Sequence, residues 1–510
     1  MMNLDEVIVG KTDEVIVGKN EPSNSSDTRQ DYSKSNRQWT FYIAALAALL
    51  VYSITSLSWL SVIYVFATKR TLFQDYSVAN MWIGYSLLEN PFSVYYQYLM
   101  WIASHRDLPP DLDSKSMSIL LKKCFSIGRG RSDSSDINVE EAQLLRERLR
   151  VWFHYAELND IYEDNLREWL SWAFASRTIA EVKEKDEINH WIEDALVMLQ
   201  DRLNWKNVKP GYNPLVKSVR LTLDPFSVRS RPLAYYIVCN GLTGLITTWL
   251  RLFHGFHYQR HGRCTFLVKS RVTDATSSEK ERLPILFMHG LGIGLGQYVF
   301  LLRRLVTHKS GVVILVQPHI SASITDPNFL QPPSVKEQAL ATASMLHKVN
   351  MPRVTTLSHS NGTMVLAELI RSNPEMCANN ILVDPVSFRL WEGKVCYSFV
   401  YRRWTSFIEV LLGYFIATEV GTARTISRNF QWSDMCLWVE DFPEISPERL
   451  HLFFGRHDLL IDVDSCVEYL QESGVPKECI TVIPDYHHGS ALMMDGQGMQ
   501  LVAQKAGIGL

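Results

Sequence analysis

The sequence predicts an α/β fold, a mostly parallel sheet covered by helices, and three observations carry that prediction. From Cys264 onward, apolar runs of strand length alternate with helical segments. Within that stretch, residues 353–370 read as strand, sharp turn and helix, with Ser360 at the turn. Ahead of it, Trp39–Ala67 is 29 residues without a formal charge, long enough for one bilayer span. Parallel strands need crossover helices between them, and that requirement produces the alternation.

In chain order, residues 1–37 form a polar tail that reads as disordered. Within it, Asp5 to Lys11 recurs as Asp13 to Lys19, a tandem duplication attributed to replication slippage in a tolerant segment. Residues 38–68 are expected to form a transmembrane helix, with Trp39, Tyr42, Trp59 and Tyr64 as interfacial anchors. The stretch is too long, and starts too far in, for a cleaved signal peptide. Arg29, Lys34 and Arg37 on one side balance Lys69 and Arg70 on the other, so charge gives no orientation.

Residues 69–255 are expected to form an α-helical, membrane-proximal region. Met81–Ser104 is apolar and aromatic but broken by Glu89, Asn90 and Pro91, which favours a packed segment over a second span. Ser126–Asp136 reads as an exposed linker. Val139–Gln200 carries helical periodicity with many charges, as two or three amphipathic helices would. Leu233–Leu250 has 18 uncharged residues, but Asn240, Gly241, Gly244 and its threonines dilute it. That composition suits a buried or interface-lying helix better than a second span, the alternative.

Residues 256–510 carry the sheet. Strands are expected at Pro284–Met288, Val312–Val316, Val354–Leu357, Ile381–Val383, Leu452–Phe454 and Ile480–Ile483. Helices are expected at Ser334–Val349, Thr363–Arg371 and Asp464–Glu472. Residues 387–447 break this rhythm, are rich in Trp, Phe and Tyr, and read as a helical cap inserted above the sheet.

Composition removes some functions. A net charge of −3 carries no basic excess that would call for nucleic acid. Eight cysteines from Cys124 to Cys479 lack paired spacing, which argues against a disulfide framework. His254, His257, His261 and Cys264 have a spacing that invites zinc, but no second cysteine pair accompanies them, and no metal or other cofactor is expected.

The chemistry is expected at strand ends. Ser358-His359-Ser360-Asn361-Gly362 has the layout of a nucleophile elbow, with Ser358 where glycine is usual. His289 to Gly296 alternates with four glycines. It lacks the spacing of a dinucleotide fingerprint and the Gly-Lys-Ser/Thr of a phosphate loop. As an oxyanion loop it would offer the N–H of Leu291 or Gly292 alongside that of Asn361. A serine hydroxyl needs a base; His488, after the last strand and before Gly489, is the candidate, with His487 its competitor. His359, inside the elbow, is expected to project away from the serine hydroxyl. The base needs an acceptor, and Asp458 is preferred over Asp384.

With these residues the chain resembles the α/β-hydrolases over roughly residues 260–510, and within them a group of mainly fungal, membrane-anchored members whose substrates are generally undefined. Arg231–Tyr236, His289–Gly294, Pro318–Ser321 and Leu382–Val386 carry the resemblance. The group's Gly-His-Ser-x-Gly here begins with Ser358, and His457 stands inserted where its pattern reads Gly-Arg-Asp. By position, the resemblance implies Ser360 as nucleophile, Asp458 as acid and His488 as base. The expected function is a membrane-anchored serine esterase or lipase acting on an apolar acyl ester or lipid. An acyltransferase with the same triad, or a catalytically silent membrane scaffold, are the alternatives.

Overall fold

The computed structural model of the chain describes residues 39–68, 77–106, 113–126, 139–271 and 282–509. The duplicated tail and most of the expected linker at Ser126–Asp136 lie outside the described residues.

Eight strands form one sheet: β1 Phe256–His261, β2 Cys264–Lys269, β3 Ile285–Met288, β4 Val312–Val316, β5 Val354–His359, β6 Cys377–Val383, β7 Leu450–Gly455 and β8 Ile480–Ile483. Their order is β1-β2-β4-β3-β5-β6-β7-β8. β2 runs antiparallel to β1 and β4, and the strands from β3 to β8 are parallel. Helices cover both faces, so β3 and β5 are buried along their whole length, which is why they read as continuous apolar runs. The sequence reading assigned neither β2 nor β1. This edge strand buries only Phe256, leaving no alternation to detect. Of the histidines weighed for zinc, His257 and His261 lie along it and are exposed, His254 ends helix Leu233–His254, and Cys264 is buried at the start of β2.

Helix Trp39–Thr68 is continuous over 30 residues, with most of its large apolar side chains exposed. Beside it, Val78–Ser104 also forms one continuous helix, passing through Pro91. Glu89, which interrupts the apolar run, is a junction. The buried Glu89 carboxylate accepts hydrogen bonds from Thr55 Oγ1 at 2.6 Å, Tyr85 Oη at 2.6 Å and Leu233 N at 2.8 Å. Leu233 begins helix Leu233–His254, so a carboxylate sits at that helix's positive end. One face of this helix packs through Tyr236, Cys239, Ile246 and Leu250, while Ile237, Val238, Leu245, Leu252 and Phe253 are exposed.

The cap lies between β6 and β7 and consists of short helical pieces. Val410 and Tyr414 in it pack on Ala44 and Ala48 of the N-terminal helix. Helix Val420–Arg428 is tied to the C-terminal end of helix Val78–Ser104: Arg428 Nε donates to Ser104 O at 3.0 Å, and Arg424 donates to the Ala103 and His105 carbonyls. The helices between residues 139 and 203 share a core with the cap and one sheet face. Trp152 Nε1 donates to Trp391 O at 2.9 Å and Trp432 Nε1 to Ala173 O at 2.6 Å.

Candidate active site

β5 ends at His359, and helix Gly362–Ser372 starts three residues later. So short a reversal holds Ser360 at φ +50°, a left-handed conformation uncommon for a non-glycine residue. The Ser360 N–H donates to Val383 O at 3.1 Å, and the Thr363 N–H to Ser360 O at 2.9 Å. Close approach explains the final glycine, because a Cβ on Gly362 would lie 2.2 Å from Met288 O of β3. Ser358 is different. It lies inside β5, fully buried, with its hydroxyl 3.4 Å from Ile381 O.

Strand order and elbow together decide the architecture. The fold is that of the α/β-hydrolases. No protein-family model and no curated protein matches the chain. Among solved structures, it is similar to a membrane phospholipase A described as a bacterial virulence factor, at 17% identity and TM-score 0.37, covering 53% of this chain and 92% of that one. It is also similar to the carboxylesterase CesB of Bacillus subtilis, at 10% identity and TM-score 0.34, covering 55% and 100%. The 2-hydroxy-6-oxo-6-phenylhexa-2,4-dienoate hydrolase of Rhodococcus sp. strain RHA1 is a third, at 14% identity and TM-score 0.34, covering 49% and 98%.

The loops beyond β5, β7 and β8 bring Ser360, Asp458 and His488 together. His488 Nε2 lies 2.8 Å from Ser360 Oγ, and His488 Nδ1 lies 2.7 Å from Asp458 Oδ2. The other oxygen of Asp458 accepts the N–H groups of Leu460 at 2.7 Å and Ile461 at 3.1 Å, which fixes the carboxylate plane. Burial works against a charged His488, but the Asp458 carboxylate, its hydrogen bond and the Asp384 charge outweigh it and raise the pKa to about 9. The neighbouring His487 turns outward, its Nδ1 3.1 Å from His457 O. His457 occupies an exposed turn and does not displace Asp458.

Asp384 makes no hydrogen bond to the His488 ring, although a carboxylate oxygen lies within 4.8 Å of a ring nitrogen. Its two oxygens accept the N–H groups of Gly455 at 2.8 Å and Gly489 at 2.7 Å, so it joins the loops that carry the other two residues. Burial, opposed by His488 and supported by Asp458, raises its pKa to about 6.

On the glycine-rich loop, the Gly292 N–H is occupied by Ile320 O at 3.1 Å, which removes one of the two oxyanion donors considered from sequence. Among the described residues, the N–H groups of Leu291 and Asn361 have no such partner. A Cβ on Gly290 would lie 2.9 Å from Ser360 Cβ, so the loop backs directly onto the elbow. Tyr298 ties the two together: its hydroxyl accepts the Gly290 N–H at 2.8 Å and lies 2.7 Å from His359 Nδ1. Burial, then the His488 and His289 charges, hold His359 well below the usual histidine range. In the neutral ring the tautomer sets which partner of the Tyr298–His359 hydrogen bond donates. The His359 ring centroid lies 5.3 Å from that of His488, so His359 flanks the candidate base, and its Nδ1 meets Tyr298 rather than the serine hydroxyl. Sequence reasoning missed Tyr298; its only signal was a lone tyrosine eight residues beyond Gly290.

Proposed function

We propose that the protein is a membrane-anchored serine hydrolase that cleaves esters of apolar acyl groups through an acyl-enzyme on Ser360. The observation that carries this reading is the unbroken chain from Asp458 Oδ2 through His488 to Ser360 Oγ, with links of 2.7 and 2.8 Å. His488 accepts the serine proton as Oγ attacks the ester carbonyl, and Asp458 holds the imidazole in the required tautomer. The N–H groups of Asn361 and Leu291 hold the oxyanion; both lie beside the nucleophile and neither is spent elsewhere among the described residues. His488 then returns the proton to the leaving alcohol, and water activated by the same imidazole releases the acid.

Anchoring is assigned to Trp39–Thr68, which is long and apolar enough to cross a bilayer and has only 17% of its most apolar window buried. The exposed stripe of Leu233–His254 supports that helix lying against the same bilayer, because its apolar side chains need lipid where the fold leaves them uncovered. A fluorophosphonate probe applied to the membrane fraction tests the chemistry. Wild type labels and Ser360→Ala does not; a folded wild type that resists labelling sinks the proposal.

A further inference from the structure

Helix Val78–Ser104 is built inside out for a helix in water. Its single charged residue, Glu89, is buried together with Asn80, Ser86, Asn90 and Ser93. Val78, Met81, Leu87, Leu88 and Val94 are exposed instead. A surface helix in water turns its apolar stripe inward and its polar side outward. The reverse arrangement keeps polar groups among protein partners and leaves hydrocarbon outside, as lipid requires. Gln97 and Ser104, which are exposed and polar, lie toward the C-terminal end.

The buried polar face meets helix Trp39–Thr68. Thr55 Oγ1 donates to Glu89 at 2.6 Å, Trp59 Nε1 to Ser93 Oγ at 3.0 Å and Trp82 Nε1 to Ser61 Oγ at 2.8 Å. Thr55 meets Glu89 and Ser61 meets Trp82, so positions fall along one helix as they rise along the other. The pair is antiparallel. One end of it is held by the cap: Val410 and Tyr414 pack on Ala44 and Ala48, while Arg424 and Arg428 donate to the carbonyls of Ala103, Ser104 and His105. Thr68 and Val78 form the opposite end.

Length also suits a crossing. The 27 residues of Val78–Ser104 rise about 1.5 Å each and reach about 40 Å, beyond a hydrocarbon core of about 30 Å. At the cap end, Trp39 and Tyr42 on one helix and Tyr98 and Trp101 on the other are exposed. Aromatic side chains gathered at one end of a helix pair suit a membrane interface. Both helices turn apolar, uncharged faces outward, so a single lipid phase covers both.

We propose that Val78–Ser104 crosses the bilayer as the second arm of a helical hairpin, which places the N-terminus and the hydrolase domain on one side. The proposal rests on Trp39–Thr68 being a membrane anchor. It confines the candidate triad to the leaflet on that side.

The test uses the full chain, tagged at each terminus and made in sealed microsomes. Alkaline carbonate should leave the protein in the membrane, and external protease should remove both tags or neither. A thiol at Val78, which is 78% exposed at the far end of the pair, reports the crossing. It is introduced as Val78→Cys with Cys124→Ser, because the other cysteines are buried. Where the tags are digested, an impermeant maleimide should label that thiol at least tenfold more after permeabilisation. Where the tags are protected, it should label fully in intact vesicles. One tag digested and the other protected overturns the proposal in favour of a single crossing. A thiol reactive on the tags' own side overturns it in favour of a hairpin that turns back within the membrane. Release of the protein by carbonate instead overturns the anchor reading, and the hairpin with it.

Discussion

Asp384 Oδ2 accepts the N–H of Gly489 at 2.7 Å, one residue beyond the imidazole that Asp458 holds by its ring nitrogen. Two buried carboxylates thus converge on one loop by different routes, one through the backbone and one through the side chain. The contact separates their roles and makes them distinguishable by substitution.

Asp458→Asn is expected to lower ester turnover by about 10³–10⁴-fold, because an amide N–H facing Nδ1 favours the wrong imidazole tautomer. Asp384→Asn should act mainly on stability. Its amide can accept from only one of Gly455 and Gly489, and the lost charge-assisted bond is worth about 1.5–3 kcal/mol. Turnover and thermal unfolding of both variants check this. Greater loss of turnover in Asp384→Asn would reverse the assignment.

The pH dependence follows from His488. Its folded pKa of about 9 lies above the ordinary value of about 6.5, so the neutral base accumulates only in alkaline solution. The rate of fluorophosphonate labelling should rise with pH to a midpoint near 9, and Asp458→Asn should bring that midpoint down. Stability should move the other way. A raised folded pKa contributes fully below the unfolded value of about 6.5 and is lost as pH rises through about 9, a change of about 3 kcal/mol. A flat unfolding profile from pH 6.5 to 9.5 would contradict the shift.

Ser358→Gly restores the glycine usual at the start of the elbow, yet no gain in turnover is expected. Ser358 is a strand residue whose hydroxyl meets Ile381 O and whose Cβ fits its site, so its replacement empties space and loosens β5. A cost of about 1 kcal/mol is expected, with labelling within about threefold of wild type. A tenfold faster reaction would show that the serine restrains the elbow. Unfolding curves and labelling rates of the purified variant separate these outcomes.

Much of this arrangement is legible in the chain. Strand-length apolar runs between helical segments predict a helix-covered sheet, because burial on both faces erases polar alternation. The elbow is readable because strand, turn and helix are local properties, and Trp39–Thr68 is readable because a long uncharged run has few other uses. β1 was illegible because its edge position buries one residue. Packing around Glu89 was legible only as a tendency, because the partners of the buried carboxylate, Thr55 and Leu233, are distant in sequence.

Element order, the serine turn and a small set of acids and histidines in the appropriate order are all written in the chain. The packed strands and loops separate them in space: Asp458 rather than Asp384 is hydrogen-bonded to the imidazole, His488 rather than His487 faces Ser360, and the Leu291 N–H rather than that of Gly292 is uncommitted among the described residues. They also supply the Tyr298–His359 contact. The physical reason is range. Backbone preference and hydrophobic period act over a few residues, whereas His488 meets a serine 128 residues away, and where two loop side chains point is settled by the packing of the strands and helices beneath them.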